Sequence, residues 1–353
     1  MDGLVAAIDI GGRKVGSGHP CFVIAEAGVN HNGDLKLAKQ LVEVAANAGA
    51  DAVKFQTFQA DRMASTIAPK AEYQLKTTDT AESQLAMLQR LQLSPEAHRE
   101  LQSYSHKQGV LFISTPFDNE SVDLLDELGV PAFKIGSGDI TNQPLLEYVA
   151  RKGKPIILST GMCYLSEVEE AVSVTRSAGN DRLILLHCVS NYPANPADIN
   201  LRVMHAMAVA FHVPVGYSDH TLGIEVALAA VAMGACVLEK HLTLNRALPG
   251  PDHRASSEPD EFARLVKGIR TVESALGSGY KRPAPGEAEV AAAARRSLVA
   301  AKDIPAGCKL TEDMVAVKRP GSGLPPAMRL QIVGRCAKQD IPAGALITLE
   351  MLV

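Results

Sequence analysis

Short apolar runs alternate with amphipathic stretches along the chain. The runs lie at 22–28 (FVIAEAG), 52–58 (AVKFQTF), 111–117 (LFISTPF), 132–137 (AFKIGS), 155–161 (PIILSTG), 183–189 (LILLHCV), 213–219 (VPVGYSD) and 236–243 (CVLEKHLT). Each is aliphatic or β-branched and too short for a good helix, so each predicts a strand. Between them, 34–50 sets Leu37, Leu41, Val44 and Ala45 on one helical face behind Asp34 as a cap. The stretch 94–109 opens on Ser94 and Pro95, a cap and a first-turn proline, and stops at Gly109. Further helices are expected at 119–128, 142–152, 165–178, 201–211, 222–234 and 259–276. Strict alternation implies a parallel sheet with right-handed crossovers. Eight such units in about 260 residues fit an α/β fold of the (β/α)8, or TIM-barrel, kind. A doubly wound open sheet is the alternative, but no GxGxxG follows the first strand.

The texture changes after Gly279. The expected domains are a barrel over 1–280, with 1–20 as an N-terminal hairpin cap, a Pro- and Ala-rich linker over 281–296, and a small domain over 297–353. The small domain holds a weak repeat, DIPAGCKLTEDM at 303–314 and DIPAGALITLEM at 340–351, in which Asp-Ile-Pro-Ala-Gly reads as a turn. So short a chain makes a marginal core, and docking on a partner surface is expected.

Composition narrows the class without naming a function. The 353 residues are 46% apolar, which excludes disorder and leaves enough chain to bury a core without disulfides. The 35 Lys and Arg do not exceed the 39 Asp and Glu, which argues against a sequence-independent nucleic-acid binder. The six cysteines form no CxxC pair and read as reduced thiols. The apolar run 226–238 is short of the ~20 residues that span a bilayer. The opening MDGLVAAIDIGGRK lacks the pattern of a secretory leader, so a cytoplasmic location with no membrane contact is expected.

Chemistry in a barrel sits at the strand C-termini, and polar residues gather there. They are Glu26, Asn30 and His31 after strand one, Lys54 and Gln56 on strand two, Thr115 and Phe117 on three, and Lys134, Ser137 and Asp139 on four. Strand five ends in Ser159-Thr160-Gly161, six carries His187 and runs to Ser190, Asn191 and Tyr192, seven ends in Ser218-Asp219-His220, and eight carries Glu239, Lys240 and His241. Lysine inside an apolar strand is costly unless paired or used. Lys54, Lys134 and Lys240 together, with small hydroxyl residues, suggest a phosphate and a carboxylate to be held. The Ser-Thr-Gly and Gly-Ser-Gly turns offer amides for the same anion. His220 and His241 end neighbouring strands and suit a borderline divalent metal such as Mn²⁺. His187 reads as structural, and His253 sits beside Asp252 on a loop at the same mouth. His19, His98, His106, His205 and His212 are expected to be solvated.

The motifs AEAGVNHNGDL (25–35), GADAVKFQTF (49–58), STPFD (114–118), KIGSGDITNQPLL (134–146), LSTGM (158–162), HCVSNYP (187–193), GYSDHTLG (216–223) and EKHLTLNRALPGPDH (239–253) resemble the sialic acid synthase family. The tail, with VKRPGSG (317–323), resembles that family's antifreeze-like (SAF) domain. The resemblance implies condensation of phosphoenolpyruvate with an N-acylated hexose. It implies phosphoenolpyruvate contacts at Lys54, Lys134, Ser137, Ser159 and Ser218, and a metal, with Mn²⁺ expected ahead of Mg²⁺ or Co²⁺, at His220 and His241. It also implies a catalytic carboxylate at Glu26 and sugar contacts at Gln56, Thr115, Phe117, Tyr192 and Asp252. Arg319 would reach the N-acyl group from the other subunit of a domain-swapped homodimer. Two positions depart from some relatives, Asp139 in the sugar set and Ser190 in the phosphoenolpyruvate set. The expected acceptor is N-acetylmannosamine, giving N-acetylneuraminic acid. The alternative is a 2,4-diacetamido-2,4,6-trideoxyhexose, giving legionaminic or, less in keeping with AEAGVNHNG, pseudaminic acid. A sugar-binding protein without catalysis is the reading from another class.

Overall fold

A computed structural model describes residues 6–353; the first five residues of the expected N-terminal cap lie outside it. The chain divides into two compact units, one ending at Gly277 and one of Ser278–Val353.

The first unit is an eight-stranded parallel barrel. Its strands are β1 (Phe22–Gly28), β2 (Ala52–Thr57), β3 (Leu111–Pro116), β4 (Phe133–Ile135), β5 (Ile156–Ser159), β6 (Leu183–Cys188), β7 (Val215–Asp219) and β8 (Val237–His241). Ladders join consecutive strands from β4 to β8, then β8 to β1 and on to β3. β3 and β4 lie side by side at the remaining seam without a ladder, so the ring is nearly closed. The helices after each strand are α1 (Leu35–Asn47), α2 (Pro95–Lys107), α3 (Asn119–Glu127), α4 (Gln143–Arg151), α5 (Leu165–Ser177), α6 (Val203–Phe211), α7 (Glu225–Ala232) and α8 (Pro259–Leu276). The capping signals act as the sequence suggests. Asp34 accepts from the Lys36 amide at 2.7 Å, and Ser94 from the Ala97 amide at 3.2 Å.

Strand alternation sorts the core into two layers. Val23, Ala25, Val53, Phe55, Ile135, Leu158, Leu185, Tyr217 and Leu238 face the helices. Phe22, Ile24, Ala52, Ile113, Ile157, Ile184, Leu186 and Val237 fill the barrel interior. The hairpin Ile8–Ile10 and Arg13–Val15 adds Ile8, Ile10 and Val15 to that interior layer, plugging the N-terminal end of the barrel. Two residues further along each strand, the same inward rows become Glu26, Lys54, Thr115, Lys134, Ser159, Cys188, Ser218 and Glu239. Alternation thus carries the inward apolar rows into a polar row at the C-terminal end of the barrel.

Helical turns Ala60–Met63, Glu72–Thr77 and Gln84–Leu91 occupy the long β2–α2 connection, where the apolar pattern predicted no element. Glu287–Ala294 is a helix inside the expected linker, made by its run of alanines.

The second unit explains the repeat. Ile304 and Ile341 exchange backbone hydrogen bonds at 2.9 and 2.8 Å. Asp303 accepts the Ala343 amide at 2.8 Å while Asp340 accepts the Ala306 amide at 2.7 Å. Each Asp-Ile-Pro-Ala-Gly turn therefore caps the other, and Gly307 and Gly344 supply the positive φ each turn needs, +77° and +82°. Leu298, Ala300, Ile304, Leu310, Val315, Ile332, Ile341, Ile347 and Leu352 form its own buried core.

Candidate active site

The inward polar row forms one connected charge cluster. Lys54 Nζ lies 3.1 Å from Glu26 Oε2, 3.5 Å from Glu239 Oε2 and 3.3 Å from Thr115 Oγ1. Lys134 Nζ lies 3.7 Å from Glu239 Oε1 and donates to Ser159 Oγ at 2.7 Å. Ser218 Oγ donates to Glu239 Oε1 at 3.0 Å. Glu26, Lys54, Lys134 and Glu239 are all buried. Glu239, held between two ammonium groups, is thereby driven down to about 2 despite its burial. Burial pushes Glu26 up to about 7 against the pull of Lys54. The cluster is thus one firm carboxylate and two lysines, with a second carboxyl able to hold or give a proton. Beyond these ion pairs, Oε2 of Glu26 and of Glu239 have no hydrogen bond, leaving acceptors for a ligand or water.

Beside the cluster, Ser137, Cys188 and Ser190 close over Gly161. The Gly161 amide donates to Ser137 Oγ at 2.9 Å, and Cys188 Sγ lies 3.1 Å from that oxygen. A Cβ on Gly161 would stand 2.8 Å from Cys188 Sγ and 2.9 Å from Ser137 Oγ, and would strike Ser190 Oγ. Only glycine lets these three side chains meet.

On the other side stand two imidazoles. The rings of His220 and His241 are 5.3 Å apart, and the Tyr192 ring lies 4.2 Å from His220, tilted by 36°. His220 Nδ1 meets the Val189 carbonyl at 2.7 Å, which requires a proton there and leaves Nε2 with a free lone pair. His241 Nδ1 is buried with no partner. Burial lowers both pKa values, and for His241 the neighbouring His220 adds to it, so both rings are neutral donors. These residues fit a divalent metal. Among the described residues no group of three His, Cys, Asp or Glu forms a cage, so two imidazoles would leave the other positions to water and substrate oxygens.

The sugar-side residues gather less completely. Asp252 is buried and raised to about 6 by that burial. Gln56 Nε2 and Glu26 Oε1 both crowd Gly28, whose added Cβ would lie 3.6 and 3.2 Å from them. Phe117 packs edge-on to Phe58 at 6.1 Å, in an apolar cluster under the helical turns 60–91. Asp139 is half-buried and accepts from Asn142 Nδ2 at 3.1 Å. Arg319 is exposed in the second unit, where Nε donates to the Ala294 carbonyl at 3.0 Å.

Three sequence expectations change. Lys240 is no anion ligand: it alternates to the helix side of β8 and donates to Asp219 Oδ2 at 2.6 Å and to the Thr221 carbonyl at 2.8 Å. His98 is buried, between the Ser94 and Gln56 carbonyls at 3.0 and 3.3 Å. His253 is fully buried and bonded to Thr243 Oγ1 at 2.7 Å. His187 is structural, with Nε2 2.6 Å from the Ile199 carbonyl. Of two further residues of the mouth, the sequence names one without giving it a role and does not point to the other. Glu239 stands in sequence as one more strand-end carboxylate, and only its inward parity with Lys54 marks it. Tyr73, 5.0 Å from the Tyr192 ring, comes from a helical turn that no periodicity announced.

Comparison with known proteins agrees with this fold. The pattern of the NeuB family matches residues 41–281, and that of the SAF domain residues 295–353. The chain is 48% identical to the N,N'-diacetyllegionaminic acid synthase of Legionella pneumophila over 339 residues, 95% of either chain. It is 40% identical to the human N-acetylneuraminate-9-phosphate synthase, over 92% of this chain and 90% of that one. The crystal structure of an N-acetylneuraminic acid synthetase from Leptospira borgpetersenii in complex with citrate superposes with a TM-score of 0.73 at 38% identity, covering 82% of this chain and 96% of that one. A barrel followed in the chain by an SAF unit, matched along nearly its whole length, places the chain in the NeuB family.

Proposed function

We propose that this chain condenses phosphoenolpyruvate with a 2,4-diacetamido-2,4,6-trideoxyhexose to give a legionaminic acid and phosphate. The carrying observation is the 48% identity to a named legionaminic acid synthase, against 40% to the human sialic acid phosphate synthase. This displaces N-acetylmannosamine as the first choice of acceptor, which the sequence motifs alone had favoured.

The site chemistry supports the reaction class. Lys54 and Lys134, with the hydroxyls of Ser137, Ser159, Ser190 and Ser218, supply cations and donors for phosphate and carboxylate. The enol C3 of phosphoenolpyruvate bonds to the sugar aldehyde carbon, and the aldehyde oxygen takes up a proton. Positive charge develops at C2, water adds there, and phosphate departs with its bridging oxygen. Glu26, its carboxyl near neutrality, holds or moves the proton at the aldehyde oxygen or the attacking water. A divalent metal, Mn²⁺ by preference, at His220 and His241 would polarise the aldehyde. Gln56, Thr115, Phe117, Asp139, Tyr192 and Asp252 are assigned to the sugar. The partner subunit's Arg319, in a domain-swapped homodimer, is assigned to an acyl group on family likeness alone.

The test is phosphate release from phosphoenolpyruvate with Mn²⁺ and either acceptor. A kcat/KM higher for the diacetamido sugar supports this reading. A higher value for N-acetylmannosamine restores the other acceptor, and release without any sugar overturns both.

A further inference from the structure

Cys188 ends β6 on the inward face, opposite Ser218 in the β6–β7 register. Its thiol is buried and has no side-chain hydrogen-bond partner other than Ser137, 3.1 Å away, among the described residues. Ser137 Oγ also accepts the Gly161 amide at 2.9 Å. A serine hydroxyl has one proton and two lone pairs. The amide fills one lone pair. If the thiol donates into the other, the serine proton has no protein acceptor and is left for a ligand. If the serine donates to the thiol instead, its proton is tied to sulfur, a weak acceptor. Oxygen is the better acceptor of the two, and the nearby Lys134 ammonium favours an anion able to take the serine proton. Both atoms close over Gly161, where a Cβ would press on each, so the pair can meet only because that residue is glycine.

We propose that Cys188 is a positioning residue for phosphoenolpyruvate: its thiol donates to Ser137 and so turns the serine hydroxyl proton toward the bound anion. The proposal rests on the reading of the site given above and adds a specific proton arrangement to it.

The purified full chain is assayed for phosphate release, with phosphoenolpyruvate varied at saturating sugar and Mn²⁺. Cys188→Ala is expected to raise the KM for phosphoenolpyruvate roughly fivefold, the worth of one ordinary hydrogen bond, with the sugar KM unchanged. Cys188→Ser restores a donor and is expected to return KM toward the parent value. Cys188→Val fills the volume without a donor and is expected to behave as alanine does, which separates a lost hydrogen bond from a cavity. In a Ser137→Ala background, Cys188→Ala is expected to add nothing, because the thiol acts only through the serine. An unchanged KM in Cys188→Ala and Cys188→Val, or effects of Ser137→Ala and Cys188→Ala that simply add, overturns the proposal. If the parent chain releases no phosphate with either sugar, the functional reading falls. Calorimetric binding of phosphoenolpyruvate to the same variants then still decides the hydrogen bond.

Discussion

Lys240 and Asp219 form a closed ion pair on the helix side of the barrel wall, 2.6 Å from Nζ to Oδ2 and both fully buried. Thr221 completes it, its carbonyl accepting from the same ammonium at 2.8 Å and its amide donating to Asp219 Oδ1 at 2.9 Å. Removing one partner strands the other charge in the core. Lys240→Ala is therefore expected to cost about 3–5 kcal/mol of stability, the usual penalty for breaking a buried pair. Urea unfolding measures it. The double change Lys240→Met with Asp219→Leu is expected to lose much less, because no charge is left unpaired. A KM for phosphoenolpyruvate that rises with Lys240→Ala in the folded fraction would return this lysine to the anion site.

Lys134 predicts the opposite pattern. Its ammonium sits on the inward face between Ser159 and Glu239. Without it Glu239 keeps its Lys54 contact and its Ser218 hydrogen bond, so no carboxylate is orphaned. Lys134→Met keeps the apolar stem and removes the charge. The kcat/KM for phosphoenolpyruvate is expected to fall on the order of a hundredfold, since a hydrogen bond to a charged group is worth about 1.5–3 kcal/mol. The melting temperature is expected to change little. Initial-rate kinetics and a thermal scan on one preparation decide it, and a variant that melts early with normal kinetics would mark Lys134 as structural.

The contrast between these two lysines shows what the sequence could carry. Hydrophobic alternation located the eight strands and their C-terminal ends, because each strand is a separate apolar run with its own stop. It also put Lys54 and Lys134 at strand ends, and the structure finds both buried in the inward charge cluster. It could not separate Lys240, because strand parity is known only once the register of Glu239 with Ile24 and of His241 with Glu26 is fixed. The turn that brings Tyr73 to Tyr192 was illegible for another reason. The helical turns over 60–91 are short, and only Met87, Leu88 and Leu91 of the last one bury a continuous face. Cys188 reads in sequence only as one more reduced thiol, because its neighbour Ser137 lies 51 residues away in the chain.

The two imidazoles predict metal binding that can be read without turnover. Free Mn²⁺ gives a sharp paramagnetic resonance that bound ion broadens away. Titrating the full chain with Mn²⁺ is expected to show a saturable site. Replacing either His220 or His241 by alanine is expected to weaken it at least about tenfold, since a site of so few protein ligands has little to spare. His187→Ala is the control and is expected to leave the titration unchanged, because its Nε2 is already committed to the Ile199 carbonyl. A full titration in His241→Ala would remove the metal from this position.

Asp252 predicts a pH dependence in both stability and acceptor use. Burial raises its carboxyl from 3.8 to about 6, and only the more distant Lys54 pulls the other way. Tyr73 lies on the same side, and burial and the nearby Asp252 keep its phenol protonated. A raised carboxyl holds its proton longer in the fold than in the unfolded chain. Between pH about 4 and 6 the unfolded chain therefore binds fewer protons, and this residue's share of stability declines as pH rises through that window. Above about 6 the group is ionised in the fold and can accept from a sugar hydroxyl. The kcat/KM for the sugar is thus expected to climb through pH 6 and level off. Asp252→Asn cannot titrate. It is expected to be the more stable chain at pH 7, with a shallower stability profile between pH 4 and 6, where Glu26 still contributes a slope, and a raised sugar KM that depends less on pH in this range. Urea midpoints and sugar kinetics at half-unit steps from pH 5 to 8 measure both limbs. A parent profile that stays flat through pH 6 while Asp252→Asn still raises the sugar KM would place the titration elsewhere and leave Asp252 as a hydrogen-bonding group alone.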